Sequence, residues 1–223
     1  MNQIRWLAPV AAVLAIVACS LFTPTPTASP NPSTSVPATD TAAPTAQAPT
    51  LTPLPSGSGP CMAESSGEIT TYTRPSYEAD VFSTVGLPPV GIGARTADGW
   101  LGFDPAKAQA ANIGIFRLRW IPPGAQITLS GDCASVPVPD WVPAPGYCYE
   151  MVMEPVQVHV APGENWTVIG TIGVGDFAAI MGTTASGWLL VDGSVGNTPN
   201  VIGYIPESAA NVNGPCDTIP TVP

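Results

Sequence analysis

The feature that most constrains this chain is an internal repeat. Residues 97–104 read ADGWLGFD and residues 185–192 read ASGWLLVD, with the Gly and the Trp in the same places. The alignment also pairs Cys61 with Cys148, Ile69 with Val156, Thr71 with Val158, Pro75 with Pro162, Val81 with Val168, Gly86 with Gly173, and Trp120-Ile121-Pro122 with Tyr204-Ile205-Pro206. The pattern predicts two homologous domains, a first repeat (61–134) and a second repeat (148–223), joined by a stiff proline-rich connector (135–147).

The cysteines of the two repeats predict two disulfides. Cys61 and Cys133 bracket the first repeat, and Cys148 and Cys216 bracket the second. An even number of cysteines in a secreted chain is expected to pair, and four cysteines allow three connectivities. The repeat favours one bridge inside each copy, whereas the competing arrangement joins Cys133 to Cys148 and Cys61 to Cys216. Domains this small bury little surface and need such crosslinks.

Both repeats are predicted to be all-β. The 28 prolines and 22 glycines are more than helix-rich proteins contain. In the second repeat, short apolar runs alternate with Gly, Pro and Asn turns, which is typical of a small barrel or sandwich. The predicted strands are Val152–Val160, Trp166–Ile172, Phe177–Met181, Trp188–Val191 and Val201–Ile205.

The amino terminus is predicted to direct export and lipid attachment. A basic start precedes an apolar run, Trp6 to Ala18, that is shorter than the roughly 20 residues of a spanning helix. The run ends in Ile16-Val17-Ala18-Cys19, which resembles the lipobox of bacterial lipoproteins. The resemblance implies that residues 1–19 are a lipoprotein signal peptide and lipobox, and that Cys19 is lipidated. An ordinary signal peptide with an incidental cysteine is the alternative.

Residues 20–60 are predicted to be a disordered linker. They are almost entirely Thr, Pro, Ala and Ser, with Asp40 as their only charge, and such a composition cannot build a core. Its prolines favour an extended spacer. We therefore expect an extracytoplasmic protein, anchored by lipid to the bacterial cell membrane or cell surface, whose folded domains stand on a stalk.

The order of motifs in each repeat resembles the bacterial SH3-type (SH3b) family. The second repeat supplies VQVHVAP at 156–162, VIGTI at 168–172, GD at 175–176, SGWLLV at 186–191 and GYI at 203–205; the first supplies ITTYTRP at 69–75, VFSTV at 81–85, DGWLGF at 98–103 and RWI at 119–121. The resemblance implies two SH3-like β-barrels in tandem, each closed by a disulfide. Two features depart from the family: its Arg after L-N-V is Tyr72 or His159 here, and insertions (AKAQAANIGIF and GSVGNTPNV) precede the last strand.

The resemblance also implies a function. SH3b domains commonly bind cell-wall peptides or other extended ligands in grooves lined with aromatic residues, so we expect a non-catalytic binding protein for a cell-wall, peptide or surface-protein ligand. The candidate ligand-binding residues are Tyr72, Tyr77, Trp120, His159, Trp166 and Tyr204. Trp100 and Trp188 are expected to fill the core, and an exposed strand position is the plainer interpretation of His159. The alternative function is a structural spacer or assembly subunit of a surface complex, with no small ligand.

Composition argues against several other classes. The chain has 6 Lys and Arg against 16 Asp and Glu, a net charge of −10, so nucleic acid is not an expected partner. No Lys or Arg follows Arg119, so the formal charges of the second repeat are all acidic. An acidic surface favours cationic or neutral partners, or serves only to keep a secreted protein soluble. With a single His and no CxxC pair, the sequence predicts no catalytic site, no metal site and no cofactor.

Overall fold

The computed structural model describes residues 53–107 and 112–223. The predicted signal peptide, the lipobox at Cys19 and the linker up to residue 52 lie outside the described residues. The described part is all-β, as predicted, with two antiparallel sheets, three short 3-10 turns and two disulfides. Within that part, no helix has the length and apolar character needed to cross a membrane.

The first sheet contains five strands. They are β1 (Met62–Tyr72), β2 (Val81–Arg95), β3 (Leu101–Phe103), β4 (Arg119–Ile121) and β5 (Thr128–Ser130). Strand β1 pairs with β2, β2 with β3, and β3 with β4. Because β4 also pairs with β1, through Tyr72 and Trp120, the sheet curls back on itself. Strand β5 pairs with the beginning of β1.

The second sheet contains seven strands in the order β12-β6-β9-β10-β11-β7-β8. They are β6 (Tyr149–Val152), β7 (Val156–His159), β8 (Val168–Ile172), β9 (Ala179–Thr183), β10 (Trp188–Asp192), β11 (Ile202–Pro206) and β12 (Ala210–Asn213). The five predicted strands correspond to β7 through β11. The predicted strands run past the observed bounds, because nine of their residues lie outside the strands: 153–155, 160, 166, 167, 177, 178 and 201. Apart from Val152, the strands β6 and β12 are not predicted.

The two sheets share one pattern of strand pairing. Irregularities in register divide β1 into a first half, which pairs with β5, and a second half, which pairs with β4. In the second sheet β6 pairs with β12, and β7 pairs with β11 through His159 and Tyr204. The pairs Leu101–Ile121 and Leu189–Ile205 occupy the same place in the two sheets. The duplication in the sequence is therefore also a duplication of topology.

Each repeat is closed by its own disulfide, which confirms the favoured connectivity and excludes the competing one. The Cα atoms of Cys61 and Cys133 are 4.6 Å apart, and those of Cys148 and Cys216 are 4.9 Å apart. The bridged residues are separated by 72 and 68 positions. Closing loops of this length stabilises a fold by on the order of 4 kcal/mol, mainly by restricting the unfolded chain.

The repeated phrase forms the same turn in both copies. The threonine just before the phrase, Thr96 or Thr184, accepts a hydrogen bond of 3.0 Å on its hydroxyl from the N–H of Trp100 or Trp188. The intervening glycine has a positive φ, 95° at Gly99 and 79° at Gly187, a conformation that glycine adopts without the strain a side chain adds. The turn places Trp100 just before β3 and Trp188 at the start of β10, and both are buried, as predicted.

The two sheets are joined by a shared aromatic cluster. Phe116, from the insertion of the first repeat, is fully buried, and its ring lies 4.7 Å from that of Phe177 and 5.6 Å from that of Tyr149 in the second repeat. Trp141 of the connector stacks on Phe177 at 5.8 Å. The described residues form a single compact unit. The connector is thus part of the core rather than a free spacer.

A buried cation lies beside this cluster. The guanidinium of Arg74 lies 4.9 Å from the centre of the Phe116 ring and donates a hydrogen bond to Asn213 Oδ1. The side-chain amide of Asn213 donates in turn to Asn112 Oδ1 at 2.7 Å. Burial lowers the pKa of Arg74 to about 10. The positive charge of Arg74 therefore lies between the repeats, against the face of the Phe116 ring and hydrogen-bonded to the side-chain amide of Asn213.

Segments that the sequence assigned to the linker and the connector pack on the first sheet. The Pro55 carbonyl accepts hydrogen bonds from the N–H groups of Cys133, at 2.9 Å, and Ala134, at 3.2 Å. The Pro137 carbonyl accepts from Arg95 at 3.0 Å, just as the Pro220 carbonyl accepts from Thr183 at 2.9 Å in the second repeat. In both cases a proline-containing segment that follows the last strand therefore hydrogen-bonds to the sheet that precedes it.

One buried carboxyl lies in the core of the second repeat. Glu150 on β6 is fully buried, and its Oε1 accepts a hydrogen bond of 2.8 Å from the Ala178 N–H. The pKa of Glu150 is raised to about 7, mainly by burial; the hydrogen bond from Ala178 lowers it and the neighbouring Asp176 raises it. The folded protein therefore holds a proton on Glu150 that the unfolded chain, with a carboxyl of ordinary pKa, releases at neutral pH.

This proton predicts a pH-dependent stability. The free energy of unfolding should fall as pH rises from about 4.5 towards 7, because only the folded state binds the proton in that window. Glu150→Gln keeps the acceptor oxygen without the charge, so it should stabilise the protein at pH 8 by on the order of 2–3 kcal/mol and have little effect at pH 4. Urea unfolding at several pH values measures the difference, with the exposed Glu164→Gln as the matched control. A variant less stable than the parent at pH 8 would contradict the expectation.

Candidate functional site

A cleft of about 980 Å³ opens on the first repeat. Its walls are the loop after β1, which carries Tyr77, the turn at residues 96–99, the loop after β4 at residues 122–125, and the end of the linker at residues 53–55. We call this the first-repeat cleft. Most of its lining is proline and aliphatic side chains, which suits an extended peptide more than a polar small molecule.

Two more deeply placed aromatic rings, Tyr72 and Trp100, support Tyr77 at the wall of the first-repeat cleft. Tyr77 is 64% exposed, and its ring lies 4.9 Å from the ring of Trp100, which is only 3% exposed. Tyr72 contacts both, edge-on to Trp100 at 5.5 Å and to Tyr77 at 5.8 Å. The Tyr77 hydroxyl donates to the Pro123 carbonyl at 3.4 Å. Tyr77 is therefore a rigidly backed aromatic surface at the mouth of the cleft.

One basic side chain lies among the described residues that line the cleft. Arg95, at the end of β2, donates from its Nε to the Val136 carbonyl at 3.0 Å, which fixes the plane of its guanidinium. A fixed guanidinium suits a carboxylate, because its N–H groups form a planar fork. The cleft thus combines an aromatic and proline surface with a site for a negative group.

The second repeat reproduces the packing of Tyr72 with a different residue. The His159 ring lies edge-on to Trp188 at 5.4 Å and 84°, as Tyr72 lies on Trp100 at 5.5 Å and 84°. The Nδ1 of His159 is hydrogen-bonded to the Trp166 carbonyl at 2.9 Å. His159 is only 5% exposed, so its interpretation as an exposed strand residue is wrong. The strand pair with Tyr204 and the packing against Trp188 bury it.

The six candidate ligand-binding residues fall into one group in each repeat. Tyr72, Tyr77 and Trp120 lie together in the first; His159, Trp166 and Tyr204 lie together in the second. Trp120 is fully buried and offers no surface to a ligand. Tyr72 and Tyr204 are half-buried, whereas Trp166 is 55% exposed. Tyr77 is the candidate that lines the first-repeat cleft.

Sequence reasoning missed several cleft residues. Arg95 belongs to no recognisable motif. The prolines of residues 53–55 are typical of the linker, so the sequence does not indicate that this segment lines a cleft. The signal for Pro122 was available, because the repeat aligns Trp120-Ile121-Pro122 with Tyr204-Ile205-Pro206.

The described residues also bear on catalytic chemistry. Cys61, Cys133, Cys148 and Cys216 are all in disulfides, so none of them is a thiol beside His159. Within residues 53–107 and 112–223, no three His, Cys, Asp or Glu side chains are grouped closely enough to hold a metal ion.

The chain was compared with protein families, curated proteins and solved structures. No protein-family model and no curated protein matches the chain. Among solved structures, the chain is similar to NlpC2 from Trichomonas vaginalis, at 11% identity and a TM-score of 0.25. The match covers 70% of this chain and 49% of that one, so the chain spans about half the length of that structure.

The contrast between exposed and buried aromatic residues predicts separate effects on stability. Tyr77→Ala should cost less than about 1 kcal/mol, because most of the ring is in solvent. Trp100→Phe should cost more, about 1–3 kcal/mol, because it leaves a void under Tyr72 and Tyr77. Chemical denaturation followed by circular dichroism measures both. Equal losses would show that Tyr77 is part of the core rather than a surface for a ligand.

Proposed function

We propose that this chain is a surface-anchored, non-catalytic binding protein built from two SH3-like barrels of the SH3b type. The first-repeat cleft binds an extended peptide, from the cell wall or from another extracellular protein. The observation that carries the proposal is the exposed Tyr77, backed by buried Trp100 and flanked by Pro122, Pro123 and Arg95.

The SH3-like assignment is supported by the strand pairing that the two repeats share. Both begin with a strand that pairs with the last one, and both place a hairpin ahead of the Thr-Ala-X-Gly-Trp turn. In the second repeat a 3-10 turn, Glu207–Ala209, separates β11 from β12. The disulfides compensate for the small core that barrels of this size allow.

The chemistry of the cleft supports a peptide ligand. An extended peptide keeps its side chains spaced along a groove, so it can place small apolar groups against the rings of Tyr77 and the two prolines. Aromatic anchors of this kind lose little conformational entropy on binding. A carboxylate on the peptide, either a side chain or a free C-terminus, then meets the guanidinium of Arg95.

The surroundings of His159 support a non-catalytic role. A general base must reach a reacting group, and this ring is buried between Trp188 and the Trp166 carbonyl. With the four cysteines in disulfides, a Cys–His hydrolase has no nucleophile in the described residues.

The anchored location is part of the same proposal. Lipidation of Cys19 would tether the protein to the bacterial membrane or cell surface, and the linker would carry the folded repeats away from it. Residues 53–55, at the end of the linker, form one wall of the first-repeat cleft. Two disulfides fit a protein that works outside the reducing cytoplasm.

Peptide binding can be tested with purified cell-wall material and soluble wall peptides. The full chain should sediment with isolated wall, and titration calorimetry should detect the soluble peptides. Tyr77→Ala should weaken binding at least tenfold, and Arg95→Gln should weaken only ligands that carry a free carboxylate. Tyr147→Ala is the matched control, because this tyrosine is also exposed (40%) but lies outside the cleft.

The alternative, a structural subunit of a surface complex, predicts the opposite pattern. The chain would then bind neither wall nor wall peptides at low or moderate salt, and Tyr77→Ala would leave its behaviour unchanged. The second repeat favours this alternative in one respect, because its formal charges are all acidic and suit a basic protein partner.

A further inference from the structure

The outer face of the first sheet is covered by other parts of the chain. The inner side chains of β3 and β4 fill the core, and the opposite face carries Ala94, Trp100 and Trp120. Ile115 of the insertion and Val142 of the connector pack on that face. Trp120 has no exposed surface as a result.

The equivalent face of the second sheet is only partly covered. It is formed by the outward side chains of β10 and β11: Leu190, Asp192, Ile202 and Tyr204. We call this the second-repeat face. Ile202 is 56% exposed, and Leu190 and Tyr204 are half-buried. Tyr204 occupies the position in the second sheet that Trp120, which is fully buried, occupies in the first sheet.

The second-repeat face continues an established interface. Tyr149 pairs with Ala179, Ala179 with Asp192, and Asp192 with Ile202, in one row across four strands. Tyr149 and Ala179 lie in the aromatic cluster that contacts Phe116 of the first repeat. The row therefore runs from the interface between the repeats, past the carboxylate of Asp192, to the exposed Ile202.

The charges at this face show what kind of partner fits it. In the first repeat, Asp104 follows β3 and pairs with Arg117 of the covering insertion at 2.9 Å. Asp192 has the equivalent position, and its Oδ1 accepts hydrogen bonds from the N–H and hydroxyl of Ser194. No Lys or Arg follows Arg119 in the sequence, so the second repeat contains no Lys or Arg that could form an ion pair with Asp192.

We propose that the second-repeat face docks a segment of another protein that carries a large aliphatic side chain and an Arg or Lys. The aliphatic side chain covers Ile202 and Tyr204, as Ile115 and Val142 cover Trp120. The basic side chain pairs with Asp192, as Arg117 pairs with Asp104. This surface is separate from the first-repeat cleft and does not depend on a ligand there.

A peptide copied from the covering segment provides the probe. The full chain is mixed with a fluorescent peptide of residues 112–119, NIGIFRLR, or with the same peptide carrying Arg117→Glu and Arg119→Glu. Fluorescence anisotropy should show at least tenfold tighter binding of the basic peptide, and the preference should weaken as salt is raised. Ile202→Asp and Asp192→Asn should each weaken binding at least fivefold. Val174→Asp, at another exposed position (58%), and Tyr77→Ala should leave binding unchanged.

Three results would overturn the proposal. They are equal binding of the basic and acidic peptides, no detectable binding of either, or binding that survives Ile202→Asp. A fourth would assign the face to another occupant: if sedimentation equilibrium of the chain alone shows a dimer that Ile202→Asp dissociates, a second copy covers the face. Unchanged thermal unfolding of both variants separates a lost contact from a lost fold, and the Tyr77→Ala result separates this site from the cleft.

Discussion

The burial of Phe116 between the two sheets is the contact on which the arrangement of the protein depends. Each repeat has a small core and a disulfide, but neither feature relates one sheet to the other. Phe116 reaches from the first repeat into a cluster with Tyr149 and Phe177, and Trp141 of the connector covers it. Burying an aromatic ring of this size stabilises a contact by about 2–3 kcal/mol. The insertion that interrupts the first repeat is therefore what joins the repeats.

The polar groups around this cluster fix the relative orientation of the two repeats as well as stabilising the contact between them. A buried Arg74 without partners would be costly, but here the guanidinium lies on the Phe116 ring and donates to Asn213. Asn213 then reaches Asn112 of the first repeat. These hydrogen bonds are directional, so they define one orientation of the repeats where apolar packing alone would tolerate several.

The sequence predicted what the two repeats share and missed what distinguishes them. The all-β class, the disulfide pairing and the buried Trp100 and Trp188 could be predicted because the repeat displays each signal twice. Strand β6 could not, because all four of its side chains are buried and no alternation marks it. Phe116 lies in an unrepeated insertion, so its role depends on tertiary contacts. His159 looked exposed because its burial comes from the non-neighbouring Trp188 and Tyr204.

The difference between the copies follows from how their outer faces are used. In the first repeat the insertion and the connector cover the face at Trp120, which leaves the cleft at Tyr77 as its accessible aromatic surface. In the second repeat the insertion at residues 193–201 lies against the aromatic cluster instead: Val195 packs on that cluster, and the Phe177 N–H donates to Asn197 Oδ1 at 2.6 Å. The second-repeat face therefore remains exposed at Ile202. Because both copies have the same strand pairing, the path of one insertion decides which surface each presents to solvent.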